Sequence, residues 1–479
     1  MGEMRSGERL NGAVIRDLTA AVDADSGSQR ASATPDGSSV GTPGSDVGQE
    51  QRRAGSVSVT LPALDGVRAL ACLFVLGFHI SLMTRDMHIW TPGRYPLFDA
   101  LMFSGSTGDG NTGVTLFFVL SGFLLFLPYA RALLMGQAWP SARQFYLRRA
   151  WRILPGYYAS LFLLVLLQQP QYLAPSHWHE LVLFLVFFMD STPATFQQLN
   201  GPYWTLAIEW QFYLLLPLIA LAIRSLIQRP TQRRARRVPR ATSLWAVAAC
   251  LVALMVWGVL SRYWGGWLTA HPTATRLVPR RVLDVVLFFT YGYRGKYLED
   301  FACGMLAGLC YVAAADPAHT VLVGWIRRIS PWLGCSAVVA YALLATESVA
   351  RAGTAAAALL ASCDELALSL CFASAIVALL LGVRTPRRIF ECTPLRWIGL
   401  ISYSLYIWHL PLLLVFMRQI GPSLLGLPAL LAYGLYWTWA GLVVVPFAAS
   451  VYWLVERPGM RMGNRARHRF LAGVCNAAA

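Results

Sequence analysis

The sequence is poor in charged residues. Asp, Glu, Lys and Arg together make up 13% of its 479 residues, whereas 56% are hydrophobic and the mean hydropathy is +0.50. Soluble domains average about 25% charged and roughly 45–50% apolar residues. This composition argues against a soluble globular protein and indicates a membrane protein.

Several chemical signatures are missing as well. The nine cysteines form no CxxC pair and no Cys/His cluster with the spacing of metal ligands, and most lie inside apolar runs. We therefore predict small buried thiols, no metal site and no permanently bound cofactor. The G-x-S-x-G pattern of hydrolase nucleophiles is absent, so Ser121, which precedes a glycine, is not predicted to be a nucleophile.

The charge that is present is mostly positive. The formal net charge is +16, and the arginines fall in short blocks between apolar runs, as in the cytoplasmic loops of membrane proteins. The expected partner is therefore the lipid bilayer, and no nucleic acid is expected. The blocks are Arg148, Arg149 and Arg152; residues 233–240; residues 384–388; and residues 457–469.

The chain divides into three parts. Residues 1–57 are rich in Ser, Gly and Asp without apolar periodicity, which predicts a disordered cytoplasmic segment, and no apolar run suggests a cleavable signal peptide. Residues 58–458 are predicted to be an all-α transmembrane bundle, followed by a basic cytoplasmic tail at 459–479. Ten spans of about 20 residues are predicted near 62–84, 112–132, 152–169, 203–226, 243–261, 282–314 (with a break possible), 330–346, 362–383, 396–418 and 428–455.

A shorter apolar piece at 179–189 decides the topology. If it is re-entrant or interfacial, the dense arginine blocks lie on one face, and both termini are cytoplasmic in a multi-pass protein of the plasma membrane. Residues 262–281 are then external despite their four arginines, which this topology does not explain.

Ionisable residues inside a span are costly and point to function. Arg68 and His79 are eleven residues apart, so they share one face of a helix with a rise of about 16 Å between them. A neutral imidazole within the bilayer can take a proton from a hydroxyl, and Asp65 could pair with Arg68. The alternative is an arginine that reaches the interface and a histidine that bonds a neighbouring helix.

Three further blocks carry polar side chains. Arg148, Arg149 and Arg152 begin the third span and could clamp phosphates, although ordinary cytoplasmic anchoring explains them too. Glu209 lies mid-span and could pair with an arginine, orient His79 or form a structural ion pair. The remaining candidates are Trp204 and Tyr213 near Glu209, and Ser402, Tyr406 and His409 in a late span, where hydrogen bonds that lock helices together are the alternative.

These blocks, in this order, resemble the acyltransferase-3 family of integral membrane O-acyltransferases over about residues 60–458. The family pattern begins with an Arg-x10-His pair like Arg68 and His79 and continues with a block similar to GVTLFFVLSGFLL at 113–125. The other matches are Arg149-x-x-Arg152 followed by Ile153 and Pro155; Trp204, Thr205, Leu206, Glu209, Phe212 and Tyr213; and Ile401 through Pro411.

The resemblance implies a ten-span bundle that moves an acetyl or other short acyl group from acyl-CoA to a carbohydrate hydroxyl. The acceptor could be an envelope polymer, a lipid-linked glycan or a glycosylated metabolite. His79 is the implied base, Arg68 a donor-side or structural partner, and Arg149 and Arg152, beside Arg148, the implied CoA contacts. Glu209 or an arginine would stabilise developing charge, and an acyl-His intermediate remains an alternative.

Two further possibilities stay open at this point. The absence of a fused esterase-like domain favours direct transfer by one protein, although a separate soluble partner on the acceptor side is compatible with it. The oligomeric state is not predicted. The rival function is a proton-coupled secondary transporter of a polar solute or glycan precursor, because buried Arg, Glu and His residues also suit a proton path.

Overall fold

The computed structural model describes residues 61–89, 112–232, 240–273, 278–315, 320–351, 355–382 and 384–465. The segment predicted to be disordered, 1–57, lies outside the described residues, as do residues 466–479 of the predicted basic tail. Within the described ranges all regular structure is helical and no strand occurs, which confirms the all-α class.

Fourteen helices in the described ranges are used below. Two short 3-10 turns precede α4 and another follows α13, and α14 contains two wider π-type turns, at Ala440–Val444 and Tyr452–Glu456. The helices are α1 (Pro62–Asp86), α2 (Thr112–Met135), α3 (Ala142–Leu167), α4 (Trp178–Leu185), α5 (Tyr203–Gln232), α6 (Arg240–Ala270), α7 (Arg280–Thr290), α8 (Leu298–Ala314), α9 (Thr320–Arg351), α10 (Ala355–Leu381), α11 (Arg384–Phe390), α12 (Thr393–Leu400), α13 (Ser402–Gln419) and α14 (Ala429–Arg465).

Seven helices of the described residues are long and apolar enough to cross a membrane, and the bent pair α12–α13 would make an eighth. The seven are α1, α2, α3, α5, α6, α10 and α14. The predicted number of about ten spans is therefore not confirmed. The stretch predicted at 282–314 is divided between α7 and α8, so the break foreseen there is present, and the stretch at 330–346 lies within α9.

The short apolar piece at 179–189 forms α4, which has eight residues. Such a helix rises about 12 Å, far less than the roughly 30 Å of a bilayer core. The structure therefore agrees with the expectation that this piece does not span. Arg262, which the predicted topology left in an external loop, instead lies within α6 and pairs with the buried Glu299 of α8 at 3.0 Å.

The span predicted at 396–418 is not straight. Helices α12 and α13 meet at Ile401 with a bend of 73°. No proline or glycine occupies the break itself. The bend is fixed by packing, because α12 crosses α1 at Gly399, where a methyl group would collide with the backbone oxygen of Asp65. Apolar periodicity carries no information about such a contact.

Helices α2 and α8 approach each other through glycine. A methyl group on Gly304 would collide with the backbone of Val119 and Phe123, and one on Gly122 would collide with the backbone of Phe301. Small residues at crossings of this kind let membrane helices come close enough for extensive van der Waals contact. The α2–α8 pair therefore forms a rigid wall behind the polar residues described below.

Gly304→Ala is expected to destabilise the protein by about 1–3 kcal/mol, because overpacking displaces backbone atoms that cannot yield. The measurement is thermal unfolding of the detergent-solubilised protein followed by tryptophan fluorescence. Gly434→Ala in α14 is the control, since its added methyl meets open space and helix propensity favours alanine. Equal unfolding temperatures for the two variants would contradict the close packing.

Candidate active site

Two neighbouring cavities lie among α1, α2, α3, α5 and α13. The first, here called the arginine cavity, has a volume of about 80 Å³ and is lined by Arg68, Arg149, Arg152, Glu209, Tyr213 and other residues. The second, here called the amide cavity, has a volume of about 380 Å³ and is lined by His79, Trp204 and five carboxamide side chains. Val114 and Tyr406 belong to both linings, so the cavities share a wall.

Helix direction explains this division. Helices α1, α3 and α13 each start beside the arginine cavity and end beside the amide cavity, whereas α2 and α5 run the opposite way. Each helix, α3 together with the residue that directly follows it, contributes to both linings. The arginine cavity is lined by Arg68 (α1), Arg149 (α3), Ser402 (α13), Leu125 (α2) and Tyr213 (α5). The amide cavity is lined by His79 (α1), Gln168 (directly after α3), Leu414 (α13), Val114 (α2) and Trp204 (α5).

The arginine cavity carries an excess of positive charge. Arg68 pairs with Asp65 at 3.2 Å, as the sequence suggested, but within the described residues neither Arg149 nor Arg152 forms an ion pair. The guanidinium of Arg149 lies over the ring of Tyr213, 5.8 Å from its centroid, and its buried Nε has no hydrogen-bond partner among the described residues. Partly buried guanidinium groups without an ion-pair partner favour an anionic ligand.

Among the described residues that line this cavity, Glu209 is the single one with a carboxylate. It accepts hydrogen bonds from Ser121 Oγ at 2.6 Å and from Tyr213 Oη at 2.5 Å. These donors fix the carboxylate in the cavity wall, among the arginines. Of the roles that the sequence left open, the structure places Glu209 with the arginines and not against the ring of His79. Ser121 was not predicted to take part, and nothing in its sequence context signals that it does.

His79 and His409 face each other across the α1–α13 contact. The distance from His79 Nδ1 to His409 Nε2 is 3.2 Å, and the ring centroids are 4.8 Å apart. His79 Nδ1 also lies 2.9 Å from the Val75 carbonyl oxygen, and His409 Nδ1 lies 2.8 Å from that of Tyr406. His409 is almost completely buried, whereas His79 lines the amide cavity.

These contacts assign the tautomers. A carbonyl oxygen can only accept a hydrogen bond, so each Nδ1 that faces one carries the proton. The neutral His409 then presents a lone pair at Nε2, which shares the Nδ1–H of His79 with the Val75 carbonyl oxygen. His79 Nε2 is left with a free lone pair, as a general base requires. Because the two histidines are 330 residues apart, no sequence spacing could have revealed the pair.

The remaining candidates occupy different positions. Tyr406 lies in the shared wall, with its hydroxyl 2.5 Å from Thr205 Oγ1. Trp204 lines the amide cavity and Tyr213 the arginine cavity. Arg148 is exposed and is absent from the described lining of the arginine cavity, because it points about 100° away from Arg149 around α3. Its role in donor binding stays a prediction.

Residues 61–453, most of the chain, match the acyltransferase-3 family, which is described as an acyltransferase domain. The chain belongs to the acyltransferase-3 family. The resemblance drawn from the sequence motifs is thereby confirmed, and the apolar helices fit a multi-pass membrane protein. The family match does not favour the alternative of a secondary transporter.

Two relatives of this acyltransferase-3 protein differ in how much of their own length the chain covers. A protein named peptidoglycan O-acetyltransferase OatA, from Listeria monocytogenes, is 23% identical over 74% of this chain and 49% of its own length. The chain thus spans about half the length of that relative. A protein named acyltransferase MdmB, from Streptomyces mycarofaciens, is 25% identical over 85% of this chain and 94% of its own length. No solved structure matches the chain.

Proposed function

We propose that this protein is a membrane O-acyltransferase that moves an acetyl or other short acyl group from acyl-CoA to a hydroxyl of a sugar-containing acceptor. The observation that carries the proposal is the pair of cavities. One is lined by Arg149 and Arg152, which form no ion pair within the described residues, the other is lined by His79, and they share a wall at Tyr406. The family and the names of the two relatives support an acyl transfer.

The donor binds at the arginine cavity. Its phosphates lie at the mouth, where Arg149 and Arg152 form charge-assisted hydrogen bonds with them. The positive-inside rule puts this end of the bundle, with the arginine-rich starts of α3 and α11, on the cytoplasmic side, where acyl-CoA is available. The flexible pantetheine arm carries the thioester past Tyr406 toward His79, about 16 Å along α1 from Arg68.

The reaction is a direct displacement. His79 Nε2 takes the proton of the acceptor hydroxyl while the hydroxyl oxygen bonds to the thioester carbon. The carbon–sulfur bond then breaks, the ester leaves as product, and the CoA thiolate takes the proton back from His79. No other reactant is required. Attack by His79 itself, giving an acyl-His intermediate, is the variant route.

Glu209 acts by providing a fixed negative charge beside the arginines. Its carboxylate, fixed by Ser121 and Tyr213, offsets part of the arginine charge while the donor is absent. Because Glu209 is bonded to Ser121 and Tyr213, Arg149 and Arg152 can bind phosphate without first breaking an ion pair. Such preorganisation lowers the cost of binding.

The test of the proposal needs no knowledge of the acceptor. The purified protein is titrated by calorimetry with acetyl-CoA, free CoA and longer acyl-CoAs. Saturable binding, with competition between CoA and acetyl-CoA, is expected. Absence of binding by every CoA species to a demonstrably folded protein would overturn the proposal and return attention to transport.

His409 is expected to act as a positioning residue. Replacing it by alanine leaves the Val75 carbonyl as the remaining acceptor for the Nδ1–H of His79 and frees the ring to tilt, so kcat should fall about three- to ten-fold, the worth of one neutral hydrogen bond, with an unchanged KM for acyl-CoA. His409→Gln should recover part of the rate, because its amide oxygen can accept the same proton. Equal rates for the wild type and the alanine variant, or no recovery with glutamine, would contradict this role.

A further inference from the structure

The amide cavity offers many hydrogen bonds and almost no charge. Its carboxamides can each donate and accept. The charged side chains among its described lining residues are Asp86 and Arg418, which are exposed in the last turns of α1 and α13 and opposite in sign. The five carboxamide residues are Gln168, Gln169, Gln197, Gln198 and Asn200.

We propose that the amide cavity is the acceptor site and that it binds an uncharged, hydroxyl-rich glycosyl unit. This inference rests on the proposed acyl transfer and adds to it the chemistry of the acceptor. Carboxamides match the mixed donor and acceptor character of sugar hydroxyls, whereas a carboxylate or phosphate on the bound unit would lose its water and meet one exposed arginine, Arg418, whose charge Asp86 offsets. The contrast with the arginine cavity assigns one cavity to each substrate.

Asn200, in the lining of the amide cavity, carries a hydrogen-bond acceptor that has no donor among the described residues. Pro411 in α13 has no N–H, which leaves the carbonyl of Ile407 without its helical partner. Asn200 Nδ2 supplies the missing bond at 2.9 Å. Asn200 is only 4% exposed, and its Oδ1 has no hydrogen-bond partner among the described residues. A buried acceptor without a donor is costly, so Asn200 in the cavity lining favours a ligand that brings a hydroxyl to it.

The loop that carries three of the carboxamides is held rigidly. Asp190, at its start, forms an ion pair with Lys296 and accepts from Gln211 Nε2 at 2.9 Å. Gln169 Nε2 donates to the backbone oxygens of Gln198 at 3.3 Å and Leu199 at 3.4 Å. These bonds fix the position of the loop before any ligand arrives, which reduces the entropy lost on binding.

Gln197 adopts a left-handed backbone conformation with φ of 59°. A residue other than glycine tolerates this region only when its surroundings enforce it, and such strain gathers at ligand sites. In this position the Gln197 side chain lines the cavity. His79 and the exposed Leu82 line it too, so a sugar ring bound here has an apolar side chain to pack on and a base near its hydroxyls.

Binding of simple glycosides tests the inference. The protein is placed in phosphatidylcholine nanodiscs, which avoids glycosidic detergents, and saturation-transfer NMR is recorded with the methyl glycosides of glucose, galactose and N-acetylglucosamine and with methyl glucuronide. At least one neutral glycoside is expected to bind, and methyl glucuronide about ten-fold more weakly, because the cation among the described lining residues, Arg418, is exposed to water and offset by Asp86. No binding by any neutral glycoside, or tighter binding of the glucuronide, overturns the inference.

Variants tie the signal to the cavity. Gln197→Gly removes one carboxamide at a position where glycine relieves backbone strain, so the fold is kept, and affinity for the glycoside should fall about three- to ten-fold. Asn200→Ala should weaken binding as well, while Gln171→Ala, an exposed glutamine outside the cavity lining, should not. Unchanged affinity in both cavity variants would overturn the inference.

Acetyl-CoA is titrated into the same nanodiscs. If acetyl-CoA binds and the glycosides do not, the acceptor site is wrong and the proposed transfer stands. If acetyl-CoA fails to bind, the proposed function itself fails, whatever the glycosides do.

Discussion

Replacing His79 by alanine is expected to lower the rate of acyl transfer at least about 100-fold, the lower end of what general-base catalysis contributes. His79 lines the amide cavity, and because its Nδ1 faces His409, the lone pair of its Nε2 stays free. Without it, the acceptor hydroxyl must attack with its proton in place. The measurement is transfer of labelled acetyl from acetyl-CoA in membranes that contain equal amounts of each variant.

The affinity of the His79→Ala variant for acetyl-CoA should stay within about two-fold of the wild type, because His79 lies outside the lining of the arginine cavity. His179→Ala is the matched control, since His179 is exposed on α4 and lines neither cavity. A His79→Ala variant that keeps more than a tenth of the wild-type rate would exclude His79 as the base.

The double substitution Arg149→Ala/Arg152→Ala is expected to raise the dissociation constant for acyl-CoA at least about 100-fold. Each guanidinium contributes a charge-assisted hydrogen bond worth roughly 1.5–3 kcal/mol, and both lie half-buried in the cavity wall. Calorimetric titration of the folded, detergent-solubilised variant measures the change.

Two further variants separate phosphate recognition from general positive charge. Arg143→Ala removes an exposed arginine from the same helix and should leave the affinity unchanged. Arg149→Lys/Arg152→Lys keeps the charge but loses the planar fork that grips phosphate in two places, so an intermediate affinity is expected. If the double alanine variant binds acyl-CoA as the wild type does, the arginines serve only as a topology signal.

Much of the candidate site was predictable because polar residues are expensive inside a membrane. His79, Glu209 and His409 stand out for this reason alone, and the order of the motifs pointed to the family. Contacts between distant segments were not predictable. Ser121 lies 88 residues from Glu209, and the amide of Asn200 reaches a carbonyl 207 residues away because Pro411 has freed it.

The fold shows the same division. Long apolar runs located α1, α2, α5 and the other helices that can span, because hydropathy and length are local properties. The bend at Ile401 depends on the crossing of α12 over α1 at Gly399, which is a tertiary contact. The Arg262–Glu299 ion pair depends on how α6 and α8 pack. It accounts for the charge of Arg262, which the predicted topology had left unexplained in an external loop.

Transfer by the purified protein tests the central claim most directly. The wild type, reconstituted alone in liposomes, is given acetyl-CoA labelled in the acetyl group together with a mixture of neutral glycosides and lipid-linked oligosaccharides. Alkali-labile label is predicted in the sugar fraction, matched by release of free CoA and lost in the His79→Ala variant. Label that stays on CoA throughout, although acetyl-CoA binds to the folded protein, would contradict the account.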